Sequence, residues 1–141
     1  MTLTIDDIIA IQALNVRYAI ALDDLVQDSA SKWAETFTSD GDFTLIAGDG
    51  TTVLVRASGS AQLSALQRSF PNPHFTRHWF SNLLIESDAQ DARMTSYISA
   101  ISVATAPAIA RTGVYRDTLV RAEAGWRFRS RILTLDPGSH V

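Results

Sequence analysis

The chain has 141 residues, of which 46% are apolar and 19% charged, and its 12 basic and 15 acidic groups give a formal net charge of −3. A chain of this size buries roughly two-thirds of its unfolded surface on folding, so residues 1–141 are expected to form a single domain with its own core. The absence of cysteine excludes disulfide bonds, thiolate metal ligands and a cysteine nucleophile. No stretch approaches the roughly 18 apolar residues of a membrane span, and the first residues lack the basic region of a signal peptide, so we expect a soluble, cytoplasmic protein.

Basic residues concentrate late in the chain, where six of the twelve lie between Arg111 and Arg131. Within residues 126–131, arginines at 127, 129 and 131 alternate with other residues, which is the period of a strand with one solvent-facing side. This alternation and the negative net charge argue against a nucleic-acid partner.

The first predicted element is a long helix over residues 4–25. Thr4 is its expected N-cap, and Asp6 and Asp7 place negative charge in the first turn, where the helix dipole favours it. Apolar residues recur at three- and four-residue steps along one face, namely Ile8, Ile11, Leu14, Tyr18, Leu22 and Leu25. This face is expected to pack against the rest of the domain.

Shorter elements follow the first helix. A second helix is predicted over about residues 28–36, with Asp28 or Ser29 as its N-cap. The next predicted elements are strands over 43–46 and 52–55, joined as a hairpin by Gly48-Asp49-Gly50, and a third helix over 58–68. Prolines at positions 71 and 73 prevent this third helix from continuing.

The second half of the chain is predicted to consist almost entirely of strand. Four long runs cover residues 75–86, 93–103, 110–121 and 126–135, separated by short turns. Consecutive strands joined by short turns are antiparallel. Because helices and strands are segregated along the chain, the fold class is α+β. We expect a curved antiparallel sheet covered by the first helix, with a pocket between the helix and the concave face of the sheet.

Three histidines are candidates for acid–base chemistry. His140 lies almost at the C-terminal end, which leaves His74 and His78. His78 falls inside a predicted strand, so its side chain should face the same way as those of Phe80 and Asn82, toward the pocket. Either it packs in the core as an ordinary polar group or it acts as an acid–base residue.

The predicted first helix ends in Asp23 and Asp24, where the negative end of the helix dipole disfavours carboxylates. In one interpretation Asp24 or Asp28 caps the following helix and Asp23 is solvated. In the other, Asp23 points into the pocket toward a cation or an imidazole. Tyr18 lies on the apolar face, so its hydroxyl needs a partner and could donate to a substrate oxygen.

Other kinds of site lack support in the sequence. Gly48-Asp49-Gly50 is typical of a hairpin turn rather than of a phosphate-binding loop, and no Gly-x-Ser-x-Gly motif marks a serine nucleophile. No group of histidines and carboxylates has the spacing of metal ligands on one element. We therefore predict neither a metal nor a cofactor, and acid–base chemistry by Asp and His remains.

Several short motifs resemble the SnoaL-like families of the nuclear transport factor two superfamily. They are Arg17-Tyr18, Ala21-Leu22-Asp23, Trp33-Ala34-Glu35-Thr36-Phe37-Thr38, Asp40-Gly41-Asp42-Phe43, Thr76-Arg77-His78, Thr112-Gly113-Val114-Tyr115-Arg116-Asp117 and Gly125-Trp126-Arg127-Phe128-Arg129, and they extend over nearly the whole chain. The resemblance implies a cone-shaped α+β barrel with a deep pocket. It leaves the activity open, because these families include dehydratases, isomerases, cyclases and proteins that only bind.

The pattern is most similar to the branch that contains scytalone dehydratase, hexachlorocyclohexane dehydrochlorinase and bile acid 7α-dehydratase. Those enzymes share a His–Asp dyad, and the resemblance implies that His78 and Asp23 stand at its positions, with Tyr18 at the position of a catalytic tyrosine. Residues 99–104 lack the second histidine of scytalone dehydratase, and their small side chains predict a roomy, apolar cavity. The residues expected to line it and bind substrate are Trp33, Phe80, Asn82, Tyr97 and Tyr115.

These observations lead to a functional hypothesis of a lyase that removes water or a halide from a cyclic, largely apolar molecule. Asp23 would orient the His78 imidazole, His78 would take the proton, and Tyr18 would donate a hydrogen bond to a substrate oxygen. Isomerisation through an enolate needs the same groups, so an isomerase similar to ketosteroid isomerase is one alternative, and a non-catalytic ligand-binding or assembly domain is another. We expect a hydrophobic small-molecule ligand, no nucleic-acid or membrane partner, and a homodimer or homotrimer formed through the arginine-bearing outer face of residues 111–131.

Overall fold

The computed structural model describes residues 2–24, 29–70 and 75–141. In these ranges the chain forms three helices and six strands. The helices are α1 (Ile5–Asp23), α2 (Ser29–Ala34) and α3 (Gly59–Ser69), and the strands are β1 (Phe37–Ile46), β2 (Val53–Ser58), β3 (Thr76–Asp88), β4 (Asp91–Ser102), β5 (Ala108–Ala122) and β6 (Gly125–Leu135). The α+β class is confirmed. None of the described helices is both long and apolar enough to cross a bilayer.

Helix α1 begins at the predicted cap. The Thr4 hydroxyl accepts the backbone N–H of Asp7 at 3.1 Å, and the Asp7 carboxylate accepts the backbone N–H of Thr4 at 2.9 Å, which together form a capping box. Asp7 also accepts Trp126 Nε1–H at 3.2 Å and lies 2.9 Å from Arg121 Nη2. The hydrogen bond from the Thr4 backbone, helped by Trp126 and Arg121 and opposed by burial, lowers the pKa of Asp7 to about 2. Asp7 therefore ties the start of α1 to β5 and β6.

The two shorter helices lie where the sequence predicts them. Helix α2 begins at Ser29, and α3 follows β2 directly. The predicted cap Asp28 and the last residue of the predicted apolar stripe, Leu25, lie outside the described residues.

Strand β1 begins at Phe37, well before the predicted start at residue 43. Asp40-Gly41-Asp42, which precedes the predicted strand, lies inside β1, where the pairing with β6 is irregular between Phe37 and Asp42. A Cβ on Gly41 would lie only 3.0 Å from the carbonyl oxygen of Phe128. The glycine is therefore needed for close contact with β6.

The six strands form one curved sheet in the order β2-β1-β6-β5-β4-β3. Four of the five neighbouring pairs are antiparallel, whereas β1 and β6 run parallel, so the sheet is mixed rather than wholly antiparallel. Strands β2 and β3 are its two edges, and the sheet does not close into a barrel. The sequence predicts only pairs that a short turn connects, whereas β1 and β6 come together through tertiary packing.

A bulge in β6 overturns one sequence-based prediction. Phe128 pairs with Leu119 and Ser130 with Thr118, so β6 carries an extra residue at Arg129. The alternation of side chains reverses there, and Arg131 is completely buried. The prediction that Arg131 shares a solvent-facing side with the other arginines of this strand is wrong.

A second bulge, in β3, changes where Asn82 points. Ser81 pairs with Tyr97 and Leu84 with Thr95, and Asn82 has a φ of 56°, in the left-handed region. Asn82 is exposed, and Leu83 after it packs against the core. Asn82 therefore does not face the same way as His78, contrary to the expectation from simple alternation.

The core lies between the three helices and the concave face of the sheet, and aromatic rings fill its centre. The Tyr18 ring of α1 lies 5.6 Å from that of Trp33 in α2 and 5.7 Å from that of Phe128 in β6, measured between centroids. Trp33 in turn lies 5.3 Å from Phe37 in β1. These contacts fix α1 and α2 over the sheet and leave a cavity beside the rings.

Candidate active site

A cavity of about 90 Å³ opens beside the aromatic core, between α1 and the concave face of the sheet. Most of its wall is apolar, with Leu22, Phe43, Leu45, Ile98, Leu133 and Leu135 among the lining residues. Six residues with polar groups also line it, namely Tyr18, Trp33, His78, Arg111, Thr112 and Tyr115. A few convergent polar groups in an apolar cavity are typical of a small-molecule site.

The structure brings Asp23 and His78 into contact. Asp23 is the last residue of α1, and His78 lies near the start of β3. The Asp23 Oδ1 atom lies 2.5 Å from His78 Nδ1, and the Asp23 carboxylate also accepts the backbone N–H of His78 at 3.0 Å. Because β3 is an edge strand, some of its N–H groups point away from β4, and one of them is available to the end of the helix. These donors offset the unfavourable position of a carboxylate at a helix C-terminus.

This contact determines which nitrogen of His78 can act as a base. An ionised carboxylate only accepts hydrogen bonds, so Nδ1 carries the proton in the neutral imidazole. Nε2 then has the free lone pair, and His78 lines the cavity. The two side chains are 13% and 15% exposed, which shields their interaction from solvent. The arrangement can accept a proton from a bound molecule and can stabilise the imidazolium that results.

Two tyrosine hydroxyls meet at the same cavity. Tyr18 Oη lies 3.1 Å from Tyr115 Oη, and both side chains are buried. Burial raises the pKa of Tyr18 well above its ordinary value and also raises that of Tyr115, so both stay protonated at neutral pH. The pair holds two hydroxyl protons and one mutual hydrogen bond, which leaves one proton to donate elsewhere.

Behind the tyrosines lies a buried ion pair that the sequence did not reveal. Arg131 Nε and Nη2 donate to the two carboxylate oxygens of Asp117 at 2.8 and 2.9 Å, and neither side chain is exposed. The guanidinium carbon also lies 4.1 Å from the Tyr18 ring centroid and 4.3 Å from that of Tyr115. Burial raises the pKa of Asp117, and Arg131 opposes this rise. The pair positions both tyrosine rings from the side away from the cavity.

Trp33 places a second donor on the cavity wall. Its side chain is fully buried, and Nε1 has no hydrogen-bond partner within the described part of the chain. An unpaired buried donor is unusual in a folded protein. A ligand with an acceptor atom would satisfy it.

The other residues predicted to bind substrate are spread over two sides of the sheet. Phe80 is partly buried and packs against the Tyr115 ring at 5.1 Å, but it does not line the cavity. Asn82 and Tyr97 are exposed and are absent from the cavity wall. His140 is also exposed, and His74 lies outside the described residues.

Sequence reasoning missed Arg111 and Thr112, which both line the cavity. Thr112 also positions the C-terminal segment, because its hydroxyl donates to Asp136 at 2.7 Å and its backbone N–H donates to Ser139 Oγ at 2.9 Å. Simple alternation would place only one of two neighbouring strand residues on the inner face, so no sequence pattern indicated this pair. Among the residues that the structure describes, no group of three or more histidines and carboxylates is placed to hold a metal ion.

Solved structures with the same fold extend over almost the whole chain. A protein of unknown function with a cystatin-like fold from Nostoc punctiforme matches with a TM-score of 0.80 and 24% identity, covering 99% of this chain and 98% of that one. A protein of unknown function from Mycobacterium tuberculosis matches with a TM-score of 0.76 and 29% identity, covering 93% of this chain and 72% of that one. For ActVI-ORFA from Streptomyces coelicolor the TM-score is 0.75 and the identity 25%, covering 92% and 97% of the two chains.

No protein with a curated functional description matches the sequence. The model of the SnoaL-like domain family, in contrast, matches residues 3–132. The chain therefore belongs to the SnoaL-like domain family, within the nuclear transport factor two-like superfamily.

Proposed function

We propose that this protein is a cofactor-independent acid–base enzyme in which His78 removes a proton from carbon and Asp23 orients the imidazole. The reaction is an elimination of water or of a halide from a cyclic, largely apolar molecule. The observation that carries this proposal is the 2.5 Å contact between Asp23 Oδ1 and His78 Nδ1, on a histidine that lines an apolar cavity.

The side chains of the site account for the proton transfers of the proposed elimination. His78 Nε2 takes the proton, the electron pair of the C–H bond becomes a carbon–carbon π bond, and the leaving group departs from the adjacent carbon. When the leaving group is hydroxide, the imidazolium returns its proton and water forms; when it is a halide, the imidazolium releases its proton to solvent. Tyr18 donates a hydrogen bond to the substrate oxygen on which negative charge develops. Return of the proton to a different carbon of the same molecule gives an isomerase with the same residues.

The size of the cavity limits the part of the substrate that enters it. A volume of about 90 Å³ is well below the roughly 300–1,000 Å³ of pockets that enclose a whole drug-sized ligand. This is smaller than the roomy cavity that the small side chains of β4 predict. We therefore propose that only the reacting part of the substrate ring lies inside, against His78 and the two tyrosines.

Substitution of His78 tests this function. We expect His78→Gln to abolish turnover on a panel of cyclic β-hydroxyketones and cyclic halides, followed by the absorbance of the new double bond. Its melting temperature should stay within a few degrees of the wild type, because the backbone N–H to Asp23 is retained. His140→Gln, at an exposed position away from the cavity, is the matched control and should keep full activity. Undiminished turnover by the His78 variant would show that His78 is not the base.

The main alternative is a binding or assembly domain in which Asp23 has a structural role. The contact between the Asp23 carboxylate and the backbone N–H of His78 favours this alternative, since it joins α1 to the sheet edge. Asp23→Asn separates the two functions. A structural role predicts a clear fall in the melting temperature, whereas a catalytic role predicts lost turnover and, in ¹⁵N NMR spectra, a His78 ring no longer restricted to the Nδ1–H tautomer.

We further propose that the protein forms a homodimer or homotrimer through the outer face of the sheet. Large apolar side chains are exposed on strands β3, β4 and β6, namely Trp79, Leu84, Tyr97 and Ile132. A cluster of exposed apolar residues is typical of a protein interface. The predicted contribution of arginines from residues 111–131 is limited to those that point outward, such as Arg116 and Arg129.

A further inference from the structure

Arg111 lies in line with His78 across the inner face of the sheet. In the strand register, His78 of β3 pairs with Ala100 of β4, and Ala100 pairs with Arg111 of β5. Residues paired in register point to the same face, so His78 and Arg111 do so as well. Two strand spacings, about 10 Å at the backbone, separate these two residues. Ala100, which lies between them and also lines the cavity, contributes only a methyl group. The base and the guanidinium therefore flank an open position over Ala100.

A bulge directs Arg111 into the cavity. Ala100 pairs with Arg111, but the next residue of β4, Ile101, pairs with Ile109, so β5 has an extra residue at Ala110. Bulges re-aim side chains and are common next to functional sites. This irregularity occurs beside the position at which Arg111 and Thr112 both reach the cavity wall.

The Arg111 guanidinium makes no ion pair and no side-chain hydrogen bond with residues 2–24, 29–70 and 75–141. It differs in this respect from the buried Arg131, which Asp117 neutralises. A guanidinium remains charged at any physiological pH and presents a planar fork of donors that matches a carboxylate. Arg111 is only partly exposed beside an apolar wall, so less water surrounds this cation than surrounds a fully exposed arginine.

Trp33 and the tyrosine pair add further donors to the cavity. Trp33 Nε1–H has no acceptor in the described structure, and the Tyr18–Tyr115 pair has one hydroxyl proton left over. Against these donors, the cavity offers two acceptors, His78 Nε2 and the hydroxyl oxygen of Thr112, whose proton goes to Asp136. A ligand that complements this set is rich in acceptor oxygens and carries negative charge.

We infer that Arg111 binds a carboxylate group of the substrate, which is a small and otherwise apolar carboxylic acid. This inference rests on the proposed function for the role of His78, and it specifies the substrate class of the same site. With the carboxylate at Arg111, a C–H bond of the same molecule lies over Ala100 and toward His78 Nε2.

Binding of benzoate and of the neutral, isosteric benzamide tests the inference. The probes are titrated into the wild type, Arg111→Gln and Arg116→Gln, with amide chemical shifts as the readout. Arg116 is exposed on the same strand, five positions away and on its other face, and serves as the matched control. We expect the wild type and Arg116→Gln to bind benzoate at least about tenfold more tightly than benzamide, and Arg111→Gln to lose this preference.

Two binding results would overturn the inference. One is an equal benzoate affinity in wild type and Arg111→Gln with an unchanged melting temperature, and the other is a wild type that shows no saturable benzoate binding. Because binding is measured without turnover, failure of the carboxylate site can be distinguished from failure of the catalytic proposal. Carboxylate binding through Arg111 without turnover of any cyclic carboxylate would refute the enzyme and retain the site. Undiminished turnover of a cyclic carboxylate by Arg111→Gln would refute the carboxylate site alone.

Discussion

Replacing Asp117 with Asn should destabilise the fold strongly. Asp117 and Arg131 are both fully buried, and two hydrogen bonds of 2.8 and 2.9 Å join them. Removing one member of such a pair leaves an uncompensated buried charge and costs about 3–5 kcal/mol. Aromatic rings around the guanidinium, the nearest being Phe128 at 3.9 Å, retain some of its stabilisation. We therefore expect a loss near the lower end, about 3 kcal/mol in the free energy of unfolding.

Urea denaturation with a double-mutant cycle provides the assay. A loss of about 3 kcal/mol should lower the melting temperature by about 6–12 °C in a domain of this size. Adding Arg131→Met to Asp117→Asn removes the buried guanidinium that has lost its carboxylate partner. The double variant should therefore lose less stability than the sum of the two single losses. Asp91→Asn is the control, because it breaks the exposed pair with Arg129 and should cost at most about 1 kcal/mol.

This prediction fails if Asp117→Asn lowers the free energy of unfolding no more than the control Asp91→Asn does. It also fails if the losses at Asp117 and Arg131 simply add, because additivity would mean that the buried charges do not depend on each other. An unchanged slope of the unfolding free energy against urea is needed for either comparison.

Three further expectations concern the start of α1, the tyrosine pair and the outer face of the sheet. The pKa of Asp7 in the folded protein is lowered to about 2, so its stabilisation is fully present above about pH 4 and is lost as pH falls toward 2. The urea midpoint of Asp7→Asn should therefore fall less over this interval than that of the wild type or of the exposed neighbour variant Asp6→Asn, and parallel curves would contradict this. Tyr18→Phe should lower turnover about 100-fold while changing stability by only about 1 kcal/mol, measured by steady-state kinetics and urea denaturation; unchanged turnover would exclude Tyr18 as the donor. Trp79→Lys should convert the oligomer to a monomer, and light scattering that shows the same mass as the wild type would place the interface elsewhere.

Local sequence patterns determined much of the fold. The apolar period of the first helix, with Thr4 and Asp7 at its start, indicates both the helix and the residue where it begins. Alternating residues and short turns likewise identify the last four strands and their antiparallel order. These features depend on neighbours in the chain, so they can be read without knowing the tertiary structure.

The same patterns selected Asp23 and His78 as residues able to do acid–base chemistry, since the sequence offers few alternatives. Their contact depends on where the end of α1 meets the edge strand β3, across 55 positions of the chain. Periodicity contains no information about such a distance. The resemblance to a known family suggested the pair, and the geometry of the structure is what supports the proposed mechanism.

Tertiary packing alone decided which side chains face the cavity at each strand irregularity. Bulges bury Arg131, expose Asn82 and accompany the entry of Arg111 into the cavity wall. One extra residue reverses the alternation of every side chain that follows it, and its position depends on the partner strand and on what the core can accommodate. The sequence by itself therefore determined the elements and the candidate acid and base, whereas the pairing of distant strands determined the shape and polarity of the site.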